Sequence, residues 1–190
     1  MRVIAGSLGG RRLVAPRGRD TRPTPDRVRE AIFSSLGSVT GARVLDLYAG
    51  SGALGIEALS RGAEHVVFVE KGRGALAALG RNLTSLELTE HAEVLPVTVG
   101  RAVHAMEGRR FDLVLADPPY ARSSAAAAVI GELVGMVEGL APGARIVLEH
   151  ASRDTAPEVL GAALDRTRKY GGTAVSFYEV AAPSGPVPDC

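Results

Sequence analysis

The stretch VLDLYAGSGALG, residues 44–55, decides the fold. An apolar strand (43–47) runs into a turn rich in glycine and then into a helix (53–61). Gly50, Gly52 and Gly55 spell GxGxxG. Glycines let the backbone turn tightly and bring a ligand against main-chain N–H groups at a helix start. The next apolar run, HVVFVE (65–70), ends on Glu70, 20 residues after Gly50. A carboxylate at that point is placed to accept both ribose hydroxyls of an adenosine.

The residue before the turn selects among adenosine ligands. A dinucleotide would lay its pyrophosphate on the helix N-terminus, and a carboxylate at Asp46 would repel it. Asp46 would instead attract the ammonium and sulfonium of S-adenosylmethionine, directly or through backbone and water. A role as a strand-end cap stays open for it. The chain holds no GxxxxGK[ST] and therefore no P-loop. The candidate cofactor residues are Asp46, Tyr48, Ala49, Gly50, Ser51, Gly52, Glu70 and Lys71.

Outward from this stretch, strands and helices alternate. Strands are predicted at 43–47, 65–70, 93–97, 111–116, 144–149 and 173–180, with a weaker one at 164–170. Helices are predicted at 24–36, 53–61, 72–86, 101–107, 122–140 and 154–163. Thr24 is read as the cap of the first helix, with Pro25 in its first turn and Asp26 facing the positive end. Apolar strands separated by helices imply a parallel sheet covered on both faces. Tyr170-Gly171-Gly172-Thr173 is a turn of hairpin length, so the sheet should end with one antiparallel strand. The expected fold class is α/β: a doubly wound, mostly parallel seven-stranded sheet with a small N-terminal β-hairpin. Val3-Ile4 and Leu13-Val14, around Gly6, Gly9 and Gly10, form that hairpin. The expected division is an arm at 1–23, a catalytic domain at 24–180 and a disordered Pro-rich tail at 181–190.

Asp117-Pro118-Pro119-Tyr120 follows the strand 111–116, whose C-terminal end lines the ligand crevice in such a sheet. The prolines stiffen the loop and leave the Pro118 carbonyl without a neighbouring N–H. A carboxylate, a fixed carbonyl and an aromatic ring suit one task. The ring stacks on a flipped base, and the two acceptors hold the hydrogens of its exocyclic amine. That amine is a poor nucleophile, and holding both N–H bonds frees its lone pair toward a methyl group. Asp117 is also placed to receive the departing proton. A Pro-Pro turn with a packing tyrosine is the bland alternative. Asp117, Pro118, Pro119 and Tyr120 are the candidate catalytic residues.

Charge separates the two ends of the chain. The formal net charge is +1, yet residues 1–29 hold eight Arg against Asp20 and Asp26, a balance of +6, which leaves −5 on the remainder. A basic arm on an acidic body suggests a polyanion read by the arm, by Arg2, Arg11, Arg12, Arg17, Arg19, Arg22 and Arg27. A solvated basic hairpin explains the same charge. RPTPDR (22–27) is expected to hinge this arm, and the cofactor loop, beyond residue 42, is expected not to depend on it. Arg122, just after Tyr120, is a further candidate for a phosphate contact. Arg109, Arg110, Lys71 and Arg73 are read as solvated.

Other classes are excluded by composition. There is no run of 18 apolar residues, and MRVIAGSLGGRRL does not read as a signal peptide. Cys190 is the sole cysteine, so an internal disulfide, a Cys-based zinc site and a catalytic thiol within the fold are not expected. This suits a reducing cytoplasm. His65, His91, His104 and His150 show no ligand spacing, are read as surface or strand-end residues, and imply no metal.

At the two motifs the chain resembles the class I S-adenosylmethionine-dependent methyltransferases. The runs MRVIAGSLGGRRL, TRPTPDRVREAIFSSL (21–36), VLDLYAGSGALGIEALSRGA (44–63), VVFVEK (66–71), FDLVLADPPY (111–120) and KYGG (169–172) are similar to the bacterial 16S ribosomal RNA guanine N2-methyltransferase family. The resemblance implies methyl transfer from S-adenosylmethionine to N2 of a guanine in 16S rRNA, by a cytoplasmic monomer, on naked RNA or a partly assembled small subunit. It implies that Asp46, Gly50 and Gly52 carry the cofactor's methionine side, Glu70 its ribose, and Asp117 to Tyr120 the target base. One departure is Arg101, near the point where the family carries an acidic residue beside the adenine.

Rival readings are weaker. A DNA adenine or cytosine amino-methyltransferase shares the Asp-Pro-Pro-Tyr chemistry but needs a sizeable recognition segment, for which only residues 1–41 remain. A nicotinamide oxidoreductase is disfavoured by Asp46. A non-catalytic RNA-binding module leaves Asp117-Pro-Pro-Tyr without a purpose.

Overall fold

Strand β1 (Arg43–Leu47) is buried from Val44 onward on both faces, so its apolar run must lie inside a covered sheet. A computed structural model of the chain describes residues 1–16, 24–136 and 139–181. The described elements follow in the order α1 (Asp26–Leu36), β1, α2 (Ala53–Ser60), β2 (His65–Val69), α3 (Arg73–Ser85), β3 (Ala92–Leu95), α4 (Val99–Ala102), β4 (Phe111–Ala116), α5 (Ser123–Gly135), β5 (Leu140–Ala151), β6 (Ala162–Tyr170) and β7 (Thr173–Val180). The strands form one seven-stranded sheet in the order β3-β2-β1-β4-β5-β7-β6. β7 alone is antiparallel, inserted between β5 and β6. One core joins the sheet to α1, α2 and α3, through Ile32, Phe33, Ile56 and Leu79. The other joins it to α4 and α5, through Val99, Ala102, Ala126 and Ile130.

Strand order reverses between β1 and β4, the two strands that carry the motifs. Leu47 pairs with Ala116, so the loops after both strands leave the sheet side by side. Ala116 also pairs with Leu148 of β5, which puts Glu149 beside Asp117.

Three expectations are corrected. No helix spans 154–163. Residues 155–159 run without regular structure into the turn that starts β6, with Pro157 accepting a 2.5 Å hydrogen bond from the Tyr178 hydroxyl. Val159 is buried, but Leu160 is 75% exposed, so the segment has no apolar stripe to hold a helix down. The helix expected at 122–140 ends at Gly135, and β5 begins at Leu140 with a register shift between Phe111 and Leu113 of its partner. The helix expected at 101–107 is α4 followed by a 3-10 turn, Val103–Met106. The weak strand at 164–170 is real: β6 is the mostly exposed edge, protected by Asp165, Arg166, Arg168 and Lys169.

The N-terminal hairpin closes through an antiparallel bridge between Arg2 and Arg12. Val3 and Leu13 are buried in the same core as α1 and α2. Its backbone is fastened to α2 by buried Glu57, which accepts from Ile4 N (2.7 Å), Ala5 N (3.1 Å) and Arg61 Nε (2.8 Å). Ser60 adds bonds to Ala5, Ser7 and Leu8. The expected hinge is likewise anchored at its described end. Fully buried Arg29 donates to the carbonyls of Thr24 and Arg2 and to Asp26. Arg17, Arg19 and Arg22, and the tail from 182, lie outside the described residues.

Glu57→Ala should therefore destabilise the whole protein. Two amide donors lose their acceptor, at about 1–3 kcal/mol each for a buried group left unsatisfied. Urea unfolding should show one transition with a lower midpoint. An unchanged midpoint would mean that the hairpin is held by its apolar residues alone.

Candidate active site

Close packing requires two of the three glycines in the loop. Gly52 has φ 83°, and a Cβ there would stand 2.4 Å from Leu79 Cδ1. A Cβ at Gly55 would stand 2.3 Å from Phe68 Cε1, so this glycine lets α2 sit on β2. Gly50, at φ 59°, differs: its Cβ direction is open, the nearest atom being Tyr48 O at 3.9 Å. Tyr48 itself has φ 61°, which a side chain adopts only under constraint.

Two carboxylates brace the loop. Asp46 is buried, and its Oδ2 accepts from Gly55 N at 2.9 Å, across the turn. Burial first, and then the charges of Asp117 and Glu70, push its pKa up to about 8, against the lowering effect of the Gly55 bond. Glu70 Oε2 accepts from Gly50 N (2.9 Å), while its Oε1 accepts from Lys71 N (2.8 Å) and Gly72 N (2.6 Å). The Lys71 side chain is exposed, so its contribution is its backbone N–H. Ser51 is reached from a direction the sequence did not announce. Buried Asn82 of α3 donates to Ser51 O (2.9 Å) and to Val14 O (3.0 Å), and accepts from Val14 N (2.7 Å). The glycine loop, although wholly beyond residue 42, is thus tied through Asn82 to the end of the hairpin. Ala49 N bonds Val69 O at 3.0 Å, which fixes the loop to β2.

The second loop stands beside the first. Pro118 is buried; Pro119 and Tyr120 are exposed. The Tyr120 hydroxyl lies 2.5 Å from Thr173 Oγ1 at the start of β7, so the ring is tethered at its far end. Asp117 Oδ2 accepts from the Thr24 hydroxyl at 2.6 Å, and Glu149 Oε1 lies 3.2 Å from the same hydroxyl. Thr24 therefore does not cap α1: its side chain turns to the carboxylates and its carbonyl to Arg29. Burial raises the pKa of Asp117 and pushes that of Glu149 well up.

Residues 1–179 match the family model described as "Conserved hypothetical protein 95". The chain belongs to that family. The Ribosomal RNA small subunit methyltransferase D of Escherichia coli is 34% identical over 184 residues, covering 94% of this chain and 89% of that protein. The Bacillus subtilis protein YlbH is 43% identical over 183 residues, 94% of this chain and 98% of its own. A solved structure from Thermus thermophilus superposes with a TM-score of 0.79 at 34% identity, over 95% of this chain and 99% of that one. The family's fold is the Rossmann-like class I methyltransferase fold, with β7 as its antiparallel strand.

Other charged residues sort plainly. Arg2, Arg11, Arg12 and Arg27 are exposed. Arg2 lies 3.4 Å from Asp26, and Arg11 reaches Ser85 O at 3.2 Å. Arg109 is not simply solvated: it grips Glu93 with both nitrogens, at 2.6 and 3.1 Å. Arg101 is exposed on α4. His150 is buried, not at the surface, with Nε2 2.8 Å from Ser176 Oγ. Among the described residues no three His, Cys, Asp or Glu gather as a metal group, and no helix is long and apolar enough to cross a membrane.

Gly52→Ala and Gly50→Ala should separate packing from ligand approach. Gly52→Ala combines a left-handed φ with overpacking against Leu79 and should lower stability by about 2–4 kcal/mol. Gly50→Ala carries only the backbone term, about 1–2 kcal/mol. Thermal unfolding of the pair measures the difference, and equal losses would remove the packing role of Gly52.

Asp46 binds more proton in the fold than in the unfolded chain, where a carboxyl titrates near about 4. Its contribution to stability is full below that pH and is lost as pH rises toward about 8. Asp46→Asn keeps an acceptor for Gly55 N and should flatten the decline between about pH 5 and 8. Urea unfolding at several pH values checks this; an unchanged slope would mean that Asp46 titrates normally.

Proposed function

We propose that this protein transfers a methyl group from S-adenosylmethionine to the exocyclic N2 of a guanine in 16S rRNA. The observation that carries the reading is the adjacency of the two loops at the strand reversal, with Asp46 behind one and Asp117 ahead of the other. The donor chemistry fits the cofactor. Asp46 is costly as a buried anion, and a cation beside it would offset that cost. Gly50 offers open backbone at the start of α2, and Glu70 is a half-buried acceptor at the end of β2. When bound, S-adenosylmethionine supplies an electrophilic methyl group. The chain's own residues do the rest. Tyr120 stacks on the flipped base, Asp117 and the Pro118 carbonyl hold its amine hydrogens, and Asp117 takes the proton that leaves.

The relatives' names favour ribosomal RNA over DNA as the acceptor. RNA is held by the arginine face of the hairpin, where Arg2 and Arg12 line a depression of about 540 Å³ with Asp26 and Leu13. Arg17, Arg19 and Arg22 are assigned to the same polyanion by their charge in the sequence, with exposed Arg27 beside them in the chain, and exposed Arg122 supplies a contact at the crevice. The chain acts as a monomer in the cytoplasm.

Labelled S-adenosylmethionine, small-subunit particles and naked 16S rRNA, followed by digestion and mass analysis, test the reading. The expected product is N2-methylguanine at one position; a methyl group on adenine, or none, would overturn it. Asp117→Ala should retain cofactor binding and lose on the order of 10²–10⁴ in rate. Tyr120→Ala should lose base stacking, ~1–3 kcal/mol. Tyr120→Phe, which stacking alone would leave mild, should cost several-fold, because the ring loses its tether to Thr173.

A further inference from the structure

Two carboxylates and one hydroxyl meet behind the Asp-Pro-Pro-Tyr loop, and their hydrogen bonds do not close unless a proton is added. Thr24 Oγ1 lies 2.6 Å from Asp117 Oδ2 and 3.2 Å from Glu149 Oε1. A threonine hydroxyl has one hydrogen and can donate to only one of them. The shorter contact takes it, so Thr24 donates to Asp117. Glu149 then faces the Thr24 oxygen with no donor between them. Two ionised carboxylates at this depth would repel each other in a medium that screens poorly. Glu149 is the more deeply buried, 3% exposed, whereas Asp117 is half-buried at the loop.

The charged groups facing the pair do not remove the difficulty. Arg29 of α1 is the cation near Glu149, but its two terminal nitrogens bond the carbonyls of Thr24 and Arg2 and the Asp26 carboxylate, and its buried Nε has no partner among the described residues, so it makes no hydrogen bond to Glu149. Asp46 of β1 adds a further carboxyl on the side of Asp117. β7 presents Val175 to Glu149.

We infer that Glu149 is held as the neutral acid and donates to Thr24, which donates to Asp117, so that one negative charge is kept at the reactive end of the chain. Glu149 and Thr24 are positioning residues for Asp117. The inference rests on the methyl-transfer reading for its purpose but not for its geometry. When the amine nitrogen forms its bond to the methyl carbon and the carbon–sulfur bond breaks, the nitrogen carries one surplus proton. Asp117, still an anion, accepts it and later releases it to water. Were the proton to sit on Asp117 instead of Glu149, that acceptor would be filled before the reaction. The direction of the titration agrees: burial, and then the charge of Asp117, raise Glu149 well above the ordinary carboxylate range. Raising the pH should therefore ionise Glu149, reverse the bond to Thr24 and turn Asp117 away from the amine.

Carbon-13 NMR of protein labelled at the glutamate carboxyls tests the protonation without any substrate. One glutamate signal should remain at the neutral-acid position at pH 7 and vanish in Glu149→Gln; a spectrum with every glutamate ionised would overturn the inference. Kinetics test the positioning. Thr24→Val and Glu149→Ala should each lower kcat by about ten-fold or more, with KM for S-adenosylmethionine little changed and folding confirmed by thermal unfolding. Glu149→Gln, which keeps a neutral donor, should recover most of the loss relative to Glu149→Ala and should lack the alkaline fall in kcat of the native protein. Equal damage from Gln and Ala would mean that Glu149 acts as an anion and would overturn the assignment. Native protein that methylates no RNA would refute the reading of function, while the NMR result would still decide the state of Glu149.

Discussion

The parallel pairing of β1 with β4 is the constraint on which the rest depends. Leu47 opposite Ala116 makes the glycine loop and the Asp-Pro-Pro-Tyr loop neighbours, since each begins at the next residue. Neither loop needs a direct bond to the other, because the sheet sets their spacing. Further consequences follow from the same register. Ala116 opposite Leu148 puts Glu149 next to Asp117. Glu149 opposite Val175, with Ala151 opposite Thr173, brings the start of β7 within reach of the Tyr120 hydroxyl. The antiparallel strand thereby supports the Tyr120 ring as well as extending the sheet.

Buried carboxyls are held here mostly by neutral donors. Asp46 is met by an amide of α2, Asp117 by a hydroxyl, Glu70 by three amides. Among the described residues only Glu57 combines amides with a guanidinium. Neutral donors fix a carboxylate's direction while leaving its charge uncompensated, which is a poor arrangement for stability and a good one for receiving a cation or a proton. The distinction sorts function from architecture: Glu57, matched by Arg61, fastens the hairpin, whereas Asp46 and Asp117 stand unmatched on either side of the crevice.

The sheet and both loops were legible because strand periodicity, glycine spacing and a Pro-Pro pair are local signals. The identity of β7 as the antiparallel strand was legible from Tyr170-Gly171-Gly172-Thr173. The failures share one cause, that a partner far along the chain overrode a local preference. Thr24 looked like a cap, but its hydroxyl is claimed by residues 93 and 125 positions away. Asn82 and Glu57, polar residues within helical runs, are buried ties to the hairpin, 68 and 53 positions away. The segment 154–163 reads as a helix from its sequence but passes α5 largely as a loop, with Leu160 close to Gly131 and its side chain exposed. A signal for Glu149 was available: a carboxylate ending an apolar strand next to the strand that leads to Asp117, as Asp46 and Glu70 end theirs.

The same carboxylates shape how a polyanion can be used. Asp46, Glu70, Asp117 and Glu149 gather at the C-terminal ends of β1, β2, β4 and β5. In the proposed function the charge kept there on Asp117 and Glu70 repels phosphate and favours a cationic methyl donor. A nucleic-acid backbone must therefore be held away from the crevice while only an uncharged base enters it. In the proposed function the exposed arginines of the hairpin supply that hold at a distance. Because the hairpin is bonded through Asn82 to the glycine loop and through Arg29 to Thr24, its orientation is fixed relative to Asp117. A loosely tethered basic arm would raise encounter rates without fixing which base reaches the pocket. A docked one fixes the distance from phosphate contact to reacting amine, so a rigid basic surface can take part in choosing the nucleotide.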